Sequence, residues 1–499
     1  MTKFLFERRS DRGTTVIVVG GLGGESGPFA PGLRAGLWIA SGPDFARLPA
    51  EQRPADLRLV DVAMAPPTEI SAAIEDLVRK DAKSLPSLYV TEGTLTAHPD
   101  AYQQAVRQMY ERVEGHLRAR HTRQSDGFAW QRHVLANLRG YLDRRVPLSW
   151  QGALVGLPAF ICGAGPSLDA SAPRLRAVAD RGIVFAADSA LKALAALGVA
   201  ADFAVSIDVA KVPEKCLPEA CPPVRVILSG VSPPSWTTDP TVNQPFFLSN
   251  RQITLDWLEQ KGVARTAVRA TESCGSTALE LAHFMGCSPI FLFGMDLALD
   301  PKAGARHSSA SDPSLYTASG FNGDRALPKV PGNYGDVSTH IYGDLKALND
   351  RLAEWPAGLV HNVNDRGAAL ANTTLVSPEG FYLPETTVSK SHRLAALGGP
   401  METDPATRRV IAATVAALGR QGVAAMPRLR SALQQGGIAA LWPLLQPLFA
   451  DREFAQCLGA FSLKCMPHLM PPVLDDRAFW TGILDEMAVL VTAAAAIDR

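Results

Sequence analysis

The chain has 499 residues, of which 47% are hydrophobic and 20% are charged, a composition typical of globular proteins with sizeable cores. Basic and acidic side chains balance at 49 each, which argues against a general polyanion binder such as a nucleic-acid-coating protein. The N-terminus lacks a signal-peptide pattern, and no apolar run is long enough to span a bilayer. We therefore expect a cytoplasmic protein with no nucleic-acid or membrane partner.

Three regions follow one another, and we place the domain limits at 1–150, 151–375 and 376–499. The first region opens on a β-rich run at Thr14–Val19, continues with further strand candidates and ends in helical periodicity, which predicts an α+β region. The last region is rich in alanine and leucine at helical spacing and predicts an α-helical domain. In the first region, two separate helices are predicted at Ala101–Arg118 and Phe128–Arg144.

The middle region alternates short apolar runs with helical patterns. This rhythm is typical of a parallel sheet buried on both faces, and so of a Rossmann-like α/β domain. The predicted strands are Ala159–Cys162, Ile183–Ala187, Asp202–Asp208, Val224–Leu228, Phe246–Leu248, Pro289–Gly294 and Leu359–Val363. The predicted helices are Leu175–Asp180, Ala190–Leu197, Ser276–Gly286 and Thr339–Ala353.

A glycine-rich turn, Gly163–Ser167, stands between the first of these strands and a helix. Glycines there allow close approach of a ligand, and the amides at a helix start favour a phosphate. Ser167 or Ser171 can cap the helix. The turn lacks the third glycine of a dinucleotide fingerprint, because Leu168 occupies that position, and it lacks the Lys-Ser/Thr pair of a P-loop. A purely structural strand–helix turn is the alternative interpretation.

Three acidic residues stand at the carboxyl ends of predicted strands: Asp188, Asp208 and Asp296. Parallel sheets bind ligands in the crevice at those ends. A single aspartate in such a position is usually a helix cap or turn former. Three of them at equivalent ends favour a site. A long stretch without periodicity, 300–333, follows the third and is typical of a functional loop.

Several motifs of the middle region occur in an order and spacing that resemble the Maf family of motility-associated flagellin glycosyltransferases. The matching segments are Phe160–Asp169, Ala187–Leu194, Gly198–Asp208, Gly275–Gly286, Ile290–Ala298, Val330–Thr339 and His361–Ala368. The resemblance covers nearly all of the middle region and little of the two ends.

This resemblance implies a sialyltransferase-like fold. It also implies transfer of a nonulosonic acid, of pseudaminic, legionaminic or sialic type, from its CMP ester to Ser or Thr of flagellin. The implied partners are flagellin and the nucleotide sugar, with CMP-nonulosonate as donor substrate, no separate cofactor and no metal. Asp188 replaces the small residue found in many relatives, which leaves the donor sugar open.

The same resemblance assigns roles to single residues. Asp208 or Asp296 would deprotonate the acceptor hydroxyl, and His307 would donate a hydrogen bond or a proton to the departing phosphate; a solvated loop histidine is the alternative for His307. The predicted donor-binding residues are Gly163, Gly165, Pro166, Ser167, Asp188, Ser189, Gly275, Ser276, Asn362 and Gly367.

Two other functions stay open at this point. The MptE-like pterin pyrophosphokinases share the GxGPSL core, so an ATP-dependent 6-hydroxymethyl-dihydropterin pyrophosphokinase is one alternative. A non-catalytic relative that binds flagellin is the other. The helices that follow Leu383 have apolar faces, which would suit either recognition of a helical acceptor or packing against the core.

Overall fold

The computed structural model divides into two compact units, Met1–Ser125 and Asp126–Arg499. The three-part division of the chain stays a prediction. Residues 314–326 of the predicted long loop lie outside the described residues. The structure describes residues 3–8, 15–22, 28–29, 33, 35–46, 56–80, 86–95, 98–220, 222–250, 252–313, 327–383, 385, 388–459, 462, 464–465 and 476–497.

The N-terminal unit combines a five-stranded sheet with helices. Its described elements are β1 (Phe4–Arg8), β2 (Thr15–Val19), β3 (Ala35–Ala40), α1 (Gly42–Phe45), β4 (Leu57–Asp61), α2 (Pro67–Lys80), β5 (Ser87–Thr91) and the first part of α3 (Pro99–Ala136). The strand order is β1-β5-β2-β3-β4, with β1 antiparallel to β5 and the other neighbours parallel. Ile70, Ile74 and Leu77 share one face of α2 and are buried in the core with the strands.

The second unit is built on an eight-stranded parallel sheet in the order β10-β9-β8-β7-β6-β11-β14-β15. Its strands are β6 (Ala159–Cys162), β7 (Ile183–Ala187), β8 (Phe203–Ser206), β9 (Val224–Ser229), β10 (Val242–Leu248), β11 (Ile290–Phe293), β14 (Val360–Val363) and β15 (Thr374–Val376), and a small antiparallel pair is formed by β12 (Lys329–Val330) and β13 (Val337–Ser338).

Helices cover both faces of this sheet, which is why its central strands consist of buried apolar residues. One face packs on α9 and α10, and the other packs on α4, α5, α6, α8 and the C-terminal helices. The helices are α4 (Leu138–Asp143), α5 (Leu168–Arg176), α6 (Leu191–Ala196), α7 (Pro213–Cys216), α8 (Ile253–Gln260), α9 (Cys274–Phe284), α10 (Tyr342–Leu352), α11 (Lys390–Ala395), α12 (Pro405–Ala450), α13 (Arg452–Leu458) and α14 (Arg477–Ala495).

The order of the strands places a reversal at the centre of the sheet. The chain runs outward from β6 to β10 and then returns to place β11 on the opposite side of β6. Ligands of open α/β sheets bind at such a point, outside the carboxyl ends of the strands. The predicted Rossmann-like region with a parallel sheet, followed by a helical C-terminal region, is confirmed.

The C-terminal helices share the core of the parallel sheet. Gln131 donates a hydrogen bond to the carbonyl of Cys457 at 2.5 Å, and Thr254 donates one to the carbonyl of Gln456 at 2.8 Å. Among the described helices, α12 and α14 are long and apolar enough to cross a membrane, judged by length and composition alone. Because core helices of soluble proteins pass the same test, the cytoplasmic location stays a prediction.

Three predicted helices differ from those observed. Helix α3 is continuous from Pro99 to Ala136, whereas two separate helices, Ala101–Arg118 and Phe128–Arg144, were predicted. Helix α5 begins at Leu168, directly after the glycine-rich turn, and ends at Arg176, so the prediction of Leu175–Asp180 was wrong. Its second turn accommodates Pro173, whose missing N–H removes a single helical hydrogen bond.

Candidate functional site

A cavity of about 350 Å³ lies outside the carboxyl ends of β6, β7, β8 and β11, at the reversal of strand order. Most of the sequence-predicted site residues line it: Gly163, Gly165, Asp188, Ser189, Asp208, Gly275, Asp296 and His307. The remaining predicted residues do not line it: Pro166, Ser167, Ser276, Asn362 and Gly367. The cavity therefore brings together residues from four strand ends, as the sequence reasoning expected of its acidic residues.

The glycines of the turn are required by the neighbouring backbone. A Cβ atom on Gly163 would lie 2.5 Å from the carbonyl oxygen of Gly294, and one on Gly165 would lie 2.3 Å from Oδ2 of Asp296. Neither glycine has a positive φ, so packing and not backbone conformation excludes a side chain. The sequence left two interpretations of these glycines open, close approach of a ligand and a structural strand–helix turn, and the packing against the loop after β11 favours the second.

The amides of the same turn are largely used inside the protein. Gly163 N donates to the carbonyl of Phe293, and Gly165 N donates to the carbonyl of Gly294, both at 2.8 Å. Ser167 N donates to Oδ2 of Asp296 at 2.7 Å. Ala164 N has no acceptor among the described residues, and Ala164 lines the cavity. Of these N–H groups, the Ala164 amide is the one left to meet a phosphate.

The predicted side-chain cap of helix α5 is wrong. Ser167 makes no side-chain capping hydrogen bond, and Ser171 lies inside the helix, where its hydroxyl donates to the carbonyl of Ser167 at 2.9 Å. The carboxylate of Asp296, from the loop after β11, accepts from the amide of Ser167, the residue that precedes the helix. This contact joins residues distant in sequence, which a local pattern cannot reveal.

Asp296 joins two loops beneath the cavity. Its Oδ1 accepts from Nδ2 of Asn364 at 2.8 Å, its Oδ2 accepts from Ser167 N, and its carbonyl accepts from Ala368 N at 2.8 Å. Burial raises the pKa of this carboxyl, and the hydrogen bonds oppose that rise. Because internal donors bind both carboxylate oxygens, we interpret Asp296 as a structural residue that holds the two loops together.

Asp188 follows β7, and its carboxylate lies at the floor of the cavity. The residue is only 2% exposed. Its Oδ1 accepts from Ser189 N at 2.6 Å, and its Oδ2 accepts from the Ser206 hydroxyl at 2.9 Å and from the Cys274 thiol at 3.5 Å. Burial, reinforced by the nearby charge of Asp208, raises the pKa of Asp188 to about 6.

Asp208 is the exposed member of the three strand-end aspartates. It follows β8, and its Oδ1 accepts from Ala210 N at 2.8 Å, an interaction that shapes its own turn. Its position at the cavity wall makes it accessible to a substrate hydroxyl. Of the two aspartates left open as the base, this one has the accessible carboxylate.

His307 is held at the cavity by its own segment. Ser308 N donates to the carbonyl of Ala164 at 2.8 Å, Ser309 N donates to Oδ2 of Asp169 at 2.9 Å, and the Ser308 hydroxyl donates to Oδ1 of Asp169. Asp169, the last residue of the first Maf-like segment, therefore fastens the histidine segment to the start of α5.

The surroundings of the two cavity histidines lower their pKa values. Burial lowers the pKa of His307 to about 4, and the charges of Lys211 and Arg306 add to this, whereas a hydrogen bond with the Ala164 carbonyl opposes it. Burial and the charge of Arg306 also lower the pKa of His340. A bound phosphate would favour the charged imidazolium form of either ring.

Sequence reasoning missed several lining residues: Lys211, Glu272, Cys274, Arg306 and Asp344. Lys211 stands three positions after Asp208, and Arg306 precedes His307, so proximity to the predicted site residues was a usable signal. Glu272 and Cys274 lie at the start of α9, where the Ser273 hydroxyl accepts from Ser276 N at 3.1 Å and caps the helix.

Three of the predicted binding residues that do not line the cavity are packed within the fold. Ser276 is buried in the first turn of α9. Asn362 is buried in β14, and its side-chain amide has no hydrogen-bond partner among the described residues. Gly367, with φ of 74°, packs against Asp296. A binding role for these residues stays a prediction. Within the described chain, no three His, Cys, Asp or Glu side chains are placed to share a metal ion.

Comparisons with known proteins bear on this arrangement. Residues 132–302 match the family described as 6-hydroxymethylpterin diphosphokinase MptE-like. The chain is also similar to a solved structure, the Maf glycosyltransferase from Magnetospirillum magneticum AMB-1, with 17% sequence identity and a TM-score of 0.56. That similarity covers 97% of this chain and 79% of the other. No curated protein matches the chain in sequence. The resemblance seen in the sequence is confirmed: the chain has the fold of a Maf glycosyltransferase, built around an MptE-like region.

Proposed function

We propose that the chain is a protein O-glycosyltransferase that moves a nonulosonic acid from its CMP ester to Ser or Thr of flagellin. The observation that carries the proposal is the extent of the structural similarity, because the likeness to a Maf glycosyltransferase covers 97% of the chain. The cavity at the reversal of strand order supports it. The CMP donor, the nonulosonic sugar and the flagellin acceptor follow from the resemblance of the sequence motifs.

The proposed reaction is a direct displacement at the anomeric carbon of the sugar. Asp208 takes the proton of the acceptor hydroxyl, the hydroxyl oxygen bonds to the anomeric carbon, and the bond between that carbon and the phosphate oxygen breaks. CMP leaves with the bonding electrons. We assign the base to Asp208 because its carboxylate is exposed at the cavity, whereas both oxygens of Asp296 accept internal hydrogen bonds.

His307 would assist the departure of CMP. Negative charge develops on the phosphate oxygen as the sugar bond breaks, and a positioned imidazole stabilises that charge chiefly in the transition state. Lys211 and Arg306 line the same cavity and would add positive charge near the phosphate. The hydrogen bonds of Ser308 and Ser309 to Asp169 hold the neighbouring His307 at the cavity.

The second candidate is transfer of pyrophosphate from ATP to a hydroxymethylpterin. It is favoured by one observation, the match of residues 132–302 to a family described as a pterin diphosphokinase. That match takes in the glycine-rich turn, Asp188, Asp208 and Asp296. It ends before His307 and includes neither end of the chain.

A transfer assay with CMP-nonulosonate and flagellin tests the proposal through release of CMP. Asp208→Asn and His307→Ala should each lower kcat by roughly 10²–10⁴, with CMP affinity within a few-fold of wild type. Asp350→Asn, an exposed acid on α10 that pairs with Lys346, is the matched control and should keep full activity. Absence of CMP release, together with formation of a pterin diphosphate from ATP, would replace the proposal by the second candidate.

A further inference from the structure

The proposed reaction assigns no role to Asp188, although this acid stands at a position of the fold that is suited to binding a nucleotide. Strand β6, the glycine-rich turn, helix α5 and strand β7 form one βαβ unit, with β6 and β7 as parallel neighbours. Asp188 directly follows β7 and lines the cavity. In nucleotide-binding α/β folds, an acid at the end of the second strand of such a unit accepts hydrogen bonds from ribose hydroxyls.

The carboxylate of Asp188 accepts three hydrogen bonds inside the protein and can accept a further one. Ser189 N donates to Oδ1, and the Ser206 hydroxyl and Cys274 thiol donate to Oδ2. These contacts fix the plane of the carboxylate, and an ionised carboxylate offers about four lone-pair sites in total. Oδ1 accepts one of these hydrogen bonds and Oδ2 accepts two, so one site, on Oδ1, is left for a donor in the cavity, and a sugar hydroxyl is such a donor.

We propose that Oδ1 of Asp188 accepts a hydrogen bond from the 2′-hydroxyl of the nucleotide ribose, so that the site selects ribonucleotides over 2′-deoxyribonucleotides. This rests on the proposed function only in requiring that the cavity takes a nucleotide. The phosphate is expected near Ala164 N, at the end of β6, and neighbouring strands lie about 4.8 Å apart. The 5′-methylene and the sugar ring span such a distance, whereas the base lies farther from the phosphate.

The test is a comparison of CMP with 2′-deoxy-CMP for binding to the full chain, by calorimetry at pH 8, where Asp188 is ionised. Wild type should bind CMP roughly 10- to 100-fold more tightly, the range expected for hydrogen bonds to a charged group. In Asp188→Ala the ratio of the two dissociation constants should fall to about one. Asp350→Asn, which changes an exposed acid on α10 that does not line the cavity, should keep the wild-type ratio.

Two results would overturn the assignment. One is an unchanged ratio in a folded Asp188→Ala variant; Asp188→Asn, which keeps the shape of the side chain, provides a second variant if alanine prevents folding. The other is loss of discrimination between CMP and UMP in these variants while the ribose preference is kept, because the carboxylate would then contact the base.

Failure of the proposed function gives a different pattern. If CMP does not bind and ATP with Mg²⁺ does, the same comparison is made with ATP and 2′-deoxy-ATP. A ribose preference that disappears in Asp188→Ala then supports the assignment while the CMP-dependent function fails. If neither nucleotide binds to wild type, both are wrong.

Discussion

At the scale of single residues, Asp296 shows how a buried carboxylate can serve structure within a site. It accepts hydrogen bonds from Ser167 N and from Asn364 Nδ2, residues that precede and follow it by many positions in the chain. Neither donor has a second hydrogen-bond acceptor among the described residues. We infer that the shape of the glycine-rich turn depends on Asp296.

We predict that Asp296→Ala lowers the free energy of unfolding by about 2–5 kcal/mol, because it leaves two buried donors unsatisfied. Urea denaturation followed by tryptophan fluorescence measures this. Asp208→Ala is the comparison and should change stability by less than about 0.5 kcal/mol, since that side chain is exposed. If Asp296→Ala abolished transfer with no loss of stability, Asp296 and not Asp208 would be the reacting acid.

Asp188 gives a prediction about pH. Its folded-state pKa of about 6 lies above its ordinary value of 3.8, so the folded protein binds the proton more tightly than the unfolded chain does. The associated stability is fully present below pH 3.8 and is lost as the pH rises through 6. The difference of roughly two pH units corresponds to about 3 kcal/mol.

Asp188→Asn should therefore stabilise the protein by up to about 3 kcal/mol at pH 8, and by roughly half as much at pH 5. Urea unfolding at the two pH values measures the difference. A gain that is equal at both pH values would show that the carboxylate does not titrate as described.

The three strand-end aspartates could be located from the sequence, and their roles could not. Short apolar runs predict parallel strands, and the carboxyl ends of parallel strands meet at one edge, so a common site for Asp188, Asp208 and Asp296 followed. Asp296 is excluded as the base because its carboxylate oxygens accept hydrogen bonds from Ser167 and Asn364. Those contacts arise from the order of strands in the sheet, which no local pattern contains.

At the scale of elements, the glycine-rich turn after β6 is shaped by the loop after β11. Gly165 lies against Gly294 and Asp296, so that an added Cβ would contact the carbonyl oxygen of Gly294 at 2.6 Å. The sequence located this turn and left open whether its glycines provide space for a ligand or form a structural turn. The structure attributes the requirement for glycine to packing between two loops.

We predict that Gly165→Ala destabilises the protein by about 1–3 kcal/mol or more, because the added methyl group overpacks the turn. Gly482→Ala is the matched control. Gly482 lies in α14 with no atom within 4 Å of an added Cβ, so alanine there should be neutral or stabilise the helix by up to about 1 kcal/mol. Melting temperatures of both variants measure the contrast. A Gly165→Ala variant with wild-type stability and weakened CMP binding would restore the ligand-approach interpretation.

Helix α5 shows the limit of pattern reading at this scale. The sequence placed a helix after the glycine-rich turn, with Ser167 or Ser171 as its cap and its body at Leu175–Asp180. The observed helix starts at Leu168 because Leu168, Ala172 and Leu175 pack into the core beneath the sheet and Asp296 accepts from the preceding amide. Tertiary contacts override propensity here.

At the scale of the whole molecule, the C-terminal helices belong to the same core as the parallel sheet. The core that contains Leu441, Trp480 and Leu484 also contains Phe160 and Phe293 of the sheet. Deletion of everything after Leu383 would remove part of this core, so it is a poor test of acceptor recognition. Substitution of exposed apolar residues such as Val423 and Val489 tests the same idea without opening the core.

The central claim is that the cavity at the reversal of strand order takes a CMP-linked donor. The most direct measurement is the shift in melting temperature of the purified chain with CMP, in the absence of divalent metal, compared with ATP and Mg²⁺. A ligand that binds the folded state alone raises its stability by mass action, by about 2.7 kcal/mol at a hundred times its dissociation constant. The account predicts a clear upward shift with CMP and little or none with ATP and Mg²⁺. A large shift with ATP and Mg²⁺, and none with CMP, would contradict it.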